Sequence, residues 1–134
     1  MEQTRNVLAC TSPAAERRLR IALEGCELTM ALTLAEALEA LATTRFDLLI
    51  IGMLFDESRA LELMHAVRAD PALADLPVVG IRGAKFARQI KPEVFDVPMI
   101  ALGAADLIDF GSIPDDAAGN RLIGRRLRAC LRAS

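Results

Sequence analysis

Residues 47–52 read D-L-L-I-I-G and residues 77–81 read P-V-V-G-I, and these two stretches decide the fold class. Both are continuous apolar runs, which is typical of strands that are covered on both faces of a sheet. Shorter runs at residues 7–10 and 107–108, and an alternating run at residues 27–32, predict three further strands. We therefore expect a sheet of five strands.

Helical patterns follow each of these runs. Ser12-Pro13 suits the N-cap and first position of a helix, and Thr33-x-x-Glu36 forms a capping box for the next one. Asp56 and Glu57 are expected to cap a third helix with their negative charges, and Asp70-Pro71 to end it. Two more helices are predicted over residues 92–102, shortened or kinked by a proline, and over residues 120–133.

Alternating strands and helices predict a parallel sheet, and right-handed crossovers make it doubly wound in three α/β/α layers. The chain of 134 residues suits one domain. Ligands of such sheets bind at the carboxyl ends of the strands. We therefore look for function in the residues that directly follow each strand.

Composition excludes several classes of function. The net charge of −2 disfavours a nucleic-acid binder, and no apolar run reaches the roughly 18–20 residues of a membrane span. Residues 1–6 lack a signal-peptide core. The three cysteines show no metal-type spacing and fit reduced thiols, so we expect a cytoplasmic protein.

Residues 67–77, V-R-A-D-P-A-L-A-D-L-P, followed by V-V-G-I, resemble the link from the third helix to the fourth strand in receiver (CheY-like) domains of response regulators. Residues 47–51, residues 61–63 and G-A-A-D at 103–106 are similar to further parts of that family. The resemblance covers about residues 6–132. It implies a flavodoxin-like (βα)₅ fold and a role in bacterial two-component or phosphorelay-related signalling.

The resemblance also locates the positions that carry receiver chemistry, and in this chain each holds another type of residue. The matching residues are Cys10 and Thr11 for the magnesium-binding acids, Gly52 for the phosphoacceptor Asp, Arg82 for the Thr or Ser, Phe110 for the Lys, and Leu107 for the aromatic switch. Phosphoryl transfer depends on positioning and charge stabilisation, and Mg²⁺ prefers carboxylate oxygens. We therefore expect no Mg²⁺, no cofactor and no catalysis, but a pseudo-receiver that binds a protein.

Several of these residues allow two interpretations. Arg82 either binds a phosphate-like anion or pairs with Asp56, Glu57 or Asp109. Phe110 either fills the vacant pocket or anchors a partner. Cys10 is either a small buried hydrophobe or a reactive thiol whose pKa a neighbouring arginine lowers. Asp56 is either a helix cap or a displaced phosphoacceptor, and the single histidine, His65, is expected on the surface.

A stripe of arginines is predicted on the last helix, at spacings of 4, 3 and 4, with Arg126 beside it; it consists of Arg121, Arg125, Arg128 and Arg132. It is either a solvated face or the surface for an acidic partner or a second receiver-like subunit, whereas DNA suits it less. The long segment 83–102 is either a recognition element or a tolerated insertion. An alternative function is a small-molecule or anion sensor at the strand-end cleft.

Overall fold

The computed structural model describes residues 4–83 and 91–132. Its strands are β1 Asn6–Cys10, β2 Glu27–Ala31, β3 Leu48–Gly52, β4 Val78–Arg82 and β5 Asp106–Asp109. Its helices are α1 Glu16–Ala22, α2 Leu34–Thr43, α3 Ala60–Ala69, α4 Asp96–Ala101 and α5 Ala117–Ala129. The strands form one parallel sheet in the order β2-β1-β3-β4-β5, which confirms the predicted doubly wound (βα)₅ fold.

The apolar runs form the middle of the sheet. All residues of β3 are buried, as are residues 78–81 of β4. Successive side chains of a strand point to opposite faces, so β3 contributes Leu49 and Ile51 to one core and Leu48 and Ile50 to the other. The first core lies under α2, α3 and α4, and the second lies under α1 and α5.

Two of the predicted helix signals are confirmed. The hydroxyl of Thr33 accepts a hydrogen bond from the amide of Glu36 at 3.1 Å, and the Glu36 carboxylate accepts one from the amide of Leu32 at 2.8 Å. The carboxylate of Asp70 accepts a hydrogen bond from the amide of Ala72 at 2.9 Å, in the 3₁₀ turn Pro71–Leu73 that follows α3.

The cap predicted for the third helix is wrong. α3 begins at Ala60, and its N-cap position, Arg59, makes no side-chain capping bond. Residues 56–58 have φ angles of 44°, 56° and 72°, so the chain makes a left-handed turn there. This turn brings the carboxylate of Asp56 to the first amide of α2, and Oδ2 accepts a hydrogen bond from Leu34 at 2.8 Å. Asp56 therefore caps α2.

The first, fourth and fifth helices differ from the predicted bounds. Ser12-Pro13 opens a 3₁₀ turn, Pro13–Ala15, and the Ser12 side chain makes no cap. The predicted fourth helix is likewise divided into a 3₁₀ turn, Pro92–Val94, and the shorter α-helix α4. α5 starts at Ala117, three residues earlier than predicted, because the carboxylate of Asp116 accepts a hydrogen bond from Gly119 at 2.7 Å. Residues 84–90 of the long segment lie outside the described residues.

Candidate functional site

The carboxyl ends of β1, β3 and β4 meet at one edge of the sheet and form a cleft with a volume of about 170 Å³. Four of the five degenerate pocket positions line it, together with residues from α1 and the loop after β3. The lining residues are Thr11, Ser12, Ala14, Ala15, Arg18, Gly52, Met53, Leu54, Ile81, Arg82, Gly83 and Phe110. The predicted grouping of Thr11, Gly52, Arg82 and Phe110 at one edge is therefore present, whereas Cys10 and Leu107 lie elsewhere.

Gly52 lies against Thr11. A Cβ atom added at Gly52 would lie 3.2 Å from both Cβ and Cγ2 of Thr11. Thr11 has little freedom to move away, since its side chain is buried and its hydroxyl donates a hydrogen bond to the carbonyl of Ser12 at 3.0 Å. The position that matches the phosphoacceptor thus accommodates a side chain only if Thr11 shifts.

Arg82 pairs with a carboxylate that the sequence pattern did not indicate. Its Nη1 donates a hydrogen bond to Oδ2 of Asp96 at 3.2 Å, and both side chains are largely buried. Pairing was one of the two predicted roles, but the predicted partners were wrong. Asp56 caps α2, and Asp109 accepts a hydrogen bond from the amide of Gly111 at 2.9 Å. The positive charge at the end of β4 is therefore balanced within the protein.

Phe110 is 6% exposed and packs in the core layer under α1 and α5. Its ring centroid lies 5.3 Å from the guanidinium carbon of Arg18, which is within the range of a cation–π interaction. A side chain that is buried to this extent forms a wall of the cleft. This placement favours the interpretation that Phe110 fills the pocket over the interpretation that it projects toward a partner.

Arg18 is a structural residue of the site that the sequence analysis missed. Its Nη1 donates to the carbonyl of Phe110 at 3.0 Å, its Nη2 to the carbonyl of Pro114 at 2.8 Å, and its Nε to the side chain of Asn120 at 2.8 Å. The Arg18 side chain is only 11% exposed. It ties α1 to the segment between β5 and α5 and so holds the wall of the cleft in place.

Cys10 is fully buried under α2 and α3, and it does not line the cleft. Burial raises the pKa of its thiol to about 12. Of the two interpretations, the small buried hydrophobe is therefore favoured over a reactive thiol whose pKa an arginine lowers. Within residues 4–83 and 91–132, no group of three His, Cys, Asp or Glu side chains is arranged to hold a metal ion.

Leu107, the residue at the switch position, packs over Gly80 together with Phe95. A Cβ atom at Gly80 would lie 2.6 Å from Cδ2 of Leu107 and 3.1 Å from the ring of Phe95. Phe95 directly precedes α4 and is 2% exposed. The absence of a side chain at Gly80 is thus what lets these two residues cover the middle of β4.

Three of the four arginines predicted as a stripe, Arg121, Arg125 and Arg128, line one groove between α1 and α5, so the predicted face is present but does not include Arg132. Arg132 lies beyond the end of α5, and its backbone amide donates to the carbonyl of Asp47 at 2.9 Å. The guanidinium of Arg128 donates hydrogen bonds to the carbonyl of Ala22, the last residue of α1, at 2.8 Å and to that of Glu24 at 2.7 Å. The remaining two, Arg121 and Arg125, are exposed beside α1.

Arg126 lies on the other side of α5, next to β5, where it pairs with Asp106 at 2.7 Å. Arg126 therefore does not line the groove that Arg121, Arg125 and Arg128 share. Their use by a partner remains a prediction. His65 is exposed on α3, as predicted.

Solved structures with the same fold are response regulators and receiver domains. A response regulator from Thermotoga maritima superposes with a TM-score of 0.73 at 18% identity and covers 96% of this chain and 98% of its own. The phosphorylated cyanobacterial phytochrome response regulator RcpA superposes with a TM-score of 0.75 at 16% identity, and the match covers 94% of this chain and 92% of RcpA. The receiver domain of a histidine kinase from Syntrophus aciditrophicus superposes with a TM-score of 0.69 at 24% identity, and the match covers 94% of this chain and 91% of that domain.

These similarities establish the receiver fold for this chain. No known family profile and no curated protein sequence matches it. Among the helices of residues 4–83 and 91–132, none combines the length and the apolar character that crossing a bilayer requires.

Proposed function

We propose that this chain is a receiver-like signalling domain that binds a protein partner and does not accept a phosphoryl group. One observation carries the proposal: none of the described side chains that line the strand-end cleft is a carboxylate. A receiver forms an aspartyl phosphate, and that bond requires a carboxylate at the edge of the sheet. The fold similarity to response regulators supports a place in a bacterial two-component or phosphorelay-related pathway.

The residues at the cleft do not fit the magnesium ion that receiver chemistry uses. Mg²⁺ takes oxygen ligands, above all carboxylates, in near-octahedral geometry. At the end of β1 the chain offers the buried thiol of Cys10 and the hydroxyl of Thr11, which already donates to Ser12. The guanidinium of Arg82 adds a fixed positive charge nearby.

Asp56 does not replace the missing acceptor. Its carboxylate accepts a hydrogen bond from the first amide of α2, and Asp56 is absent from the cleft lining. Transfer of a phosphoryl group to Asp56 would remove a cap that stabilises α2. Asp56 therefore caps α2 and not the third helix, for which the cap was predicted.

An exposed apolar surface supports a role in protein binding. Val94, Val97 and Ile100 follow one another at intervals of three residues and are 59%, 54% and 62% exposed. Neighbouring exposed apolar side chains on a small domain mark contact sites for other proteins. We name Val94, Val97 and Ile100 the α4 patch.

Incubation with acetyl phosphate and Mg²⁺, followed by intact-mass spectrometry, tests the proposal. We expect no phosphoryl adduct on the wild-type chain. The Gly52→Asp variant should also stay unmodified, because the metal ligands and the lysine of receivers are still missing and Thr11 crowds the new side chain. An adduct on the wild-type chain, mapped to Asp56 or to any other carboxylate, would refute the proposal.

A sensor function is the second candidate, and the volume of the cleft is the observation that favours it. The two arginines of the lining are engaged, Arg18 with three hydrogen bonds and Arg82 with Asp96. An uncharged small ligand thus suits the cleft better than the anion considered from the sequence. A thermal-shift screen decides: a compound that stabilises the wild type but not an Ala15→Phe variant, whose added ring would occupy the cleft, supports a sensor, and a screen without such a compound counts against it.

A further inference from the structure

A groove with a volume of about 410 Å³ runs between α1 and α5. It shares no lining residue with the strand-end cleft. We name it the α1–α5 groove, and its lining residues are Ile21, Ala22, Glu24, Ala117, Asn120, Arg121, Arg125 and Arg128.

The two helices that form this groove are held close together. A Cβ atom on Gly124 of α5 would lie 2.4 Å from the carbonyl oxygen of Ala22, so only glycine permits this approach. Arg128 fastens the end of α1 through its two hydrogen bonds to backbone carbonyls. The groove is therefore fixed by packing and needs no rearrangement to accept a partner.

The groove combines an apolar floor with a basic edge. Ile21 is 49% exposed, although it is a large apolar side chain, and Ala22 and Ala117 continue the apolar surface. Arg121 and Arg125 are exposed at the edge, and in the described part of the chain neither has a carboxylate within ion-pair distance. Arginine stems extend apolar surface while the guanidinium groups stay in water.

The two exposed arginines of α1 differ from Arg121 and Arg125 of α5. Arg17 and Arg20 form ion pairs with Asp115 and Glu16, so their charge is balanced on the surface of the protein itself. Glu24 is the one acidic residue among the lining residues, and Arg128 contacts its backbone carbonyl. In the described lining of the groove, Arg121 and Arg125 therefore carry exposed positive charge that no carboxylate of the described residues pairs with.

From this arrangement we infer that the α1–α5 groove binds an acidic amphipathic helix of a protein partner. Such a helix places its apolar side chains along the floor at Ile21 and its carboxylates beside Arg121 and Arg125. Nucleic acid fits less well, since the chain has a net charge of −2 and has neither Trp nor Tyr for stacking. The inference rests on the proposed role in protein binding and adds the site and the chemical class of the partner.

A synthetic peptide tests the inference on the full chain. The probe is a fluorescein-labelled peptide of about 15 residues, long enough to form a helix, with Leu at helical spacing and Glu on the opposite face. Fluorescence anisotropy measures its affinity for three proteins: the wild type, an Arg121→Glu/Arg125→Glu variant, and an Arg59→Glu/Lys91→Glu variant. The last variant is the matched control, because it changes the net charge equally at exposed positions outside the groove.

We expect the Arg121→Glu/Arg125→Glu variant to bind about tenfold more weakly, because two favourable charge contacts become repulsive, and the control variant to bind within about twofold of wild type. Amide chemical shifts of the wild type should change along α1 and α5 on addition of the peptide. Absence of binding, a loss of less than about threefold in the groove variant, or shift changes confined to the α4 patch would overturn the inference.

Two controls separate the remaining explanations. A peptide with Lys in place of Glu should not bind. A labelled DNA duplex that bound more tightly than the acidic peptide, with the same dependence on Arg121 and Arg125, would assign the groove to nucleic acid and overturn the inference. Acetyl phosphate labelling reports separately on the proposed function, so a failure of peptide binding without any labelling rejects the groove alone.

Discussion

Replacement of Arg18 by alanine is the perturbation with the largest expected effect on the site. The substitution removes the three hydrogen bonds to Phe110, Pro114 and Asn120 and the cation–π contact with the Phe110 ring. These contacts connect residues more than 90 positions apart in the chain. The wall of the cleft and the start of α5 therefore lose their link to α1.

The size of the effect follows from the burial of the side chain. Hydrogen bonds from a charged group stabilise a protein by about 1.5–3 kcal/mol when they are shielded from water. All three hydrogen bonds of Arg18 come from one guanidinium group, so their contributions do not simply add. We expect Arg18→Ala to lower the free energy of unfolding by about 3 kcal/mol. Arg17, the neighbour in sequence, is 63% exposed and pairs with Asp115 at the surface. Its replacement by alanine should cost less than about 0.5 kcal/mol.

Urea denaturation followed by circular dichroism measures both variants. With a slope of about 2 kcal/mol per molar urea, Arg18→Ala should lower the midpoint by about 1.5 M, while Arg17→Ala leaves it nearly unchanged. Arg18→Lys should recover little of the loss, because lysine lacks the planar fork that reaches three acceptors. If Arg18→Ala and Arg17→Ala lower the midpoint equally, Arg18 does not hold the wall of the cleft.

Three further predictions concern the fold around the site. Asp56→Ala should lower the free energy of unfolding by about 1 kcal/mol because α2 loses its cap, while Asp56→Asn stays near wild type in urea denaturation. Gly124→Ala should lower the free energy of unfolding by about 2 kcal/mol despite the better helix propensity of alanine, whereas Gly83→Ala, whose Cβ meets no atom of the described residues within 4 Å, should be neutral in the same assay. Burial raises the pKa of the Cys10 thiol from 9.0 to about 12. At pH values between these two, the unfolded chain loses the thiol proton that the native chain keeps. The free energy of unfolding should therefore fall as the pH rises through this range. In urea denaturation at a series of pH values, the midpoint of a Cys10→Ala variant should fall less steeply than that of the wild type.

The fold was predictable because its signal is local. Continuous apolar runs such as 48–51 have to be buried on both faces, and their alternation with helical patterns leaves few topologies other than a doubly wound sheet. The grouping of Thr11, Gly52, Arg82 and Phe110 followed from the same argument, since parallel strands end at a common edge.

The contacts within the site depend on features that a sequence pattern does not contain. Arg82 pairs with Asp96, whose position depends on the turn that precedes α4. Asp56 reaches α2 only because three consecutive residues other than glycine adopt positive φ angles, which is unfavourable for each of them. Arg18 stands among the arginines of α1 and resembles a surface residue until the segment after β5 folds over it.

The same limit explains the arginines of α5. Their spacing predicted one stripe of four; three of these arginines line the α1–α5 groove, but the helix ends at Ala129, before Arg132, and Arg128 is engaged by contacts with α1. Spacing gives the face of a helix, whereas the neighbour that covers this face is a property of the tertiary structure.

The most direct test of the central claim is ¹⁹F NMR of the chain in the presence of Mg²⁺ and beryllofluoride, a mimic of the phosphoryl group. If the cleft holds neither a phosphoacceptor nor a magnesium site, as proposed, the spectrum contains only the signals of free beryllofluoride, and the amide resonances of Thr11 and Gly52 are unchanged. A protein-bound fluoride signal that requires Mg²⁺ and shifts those two amides would contradict the claim.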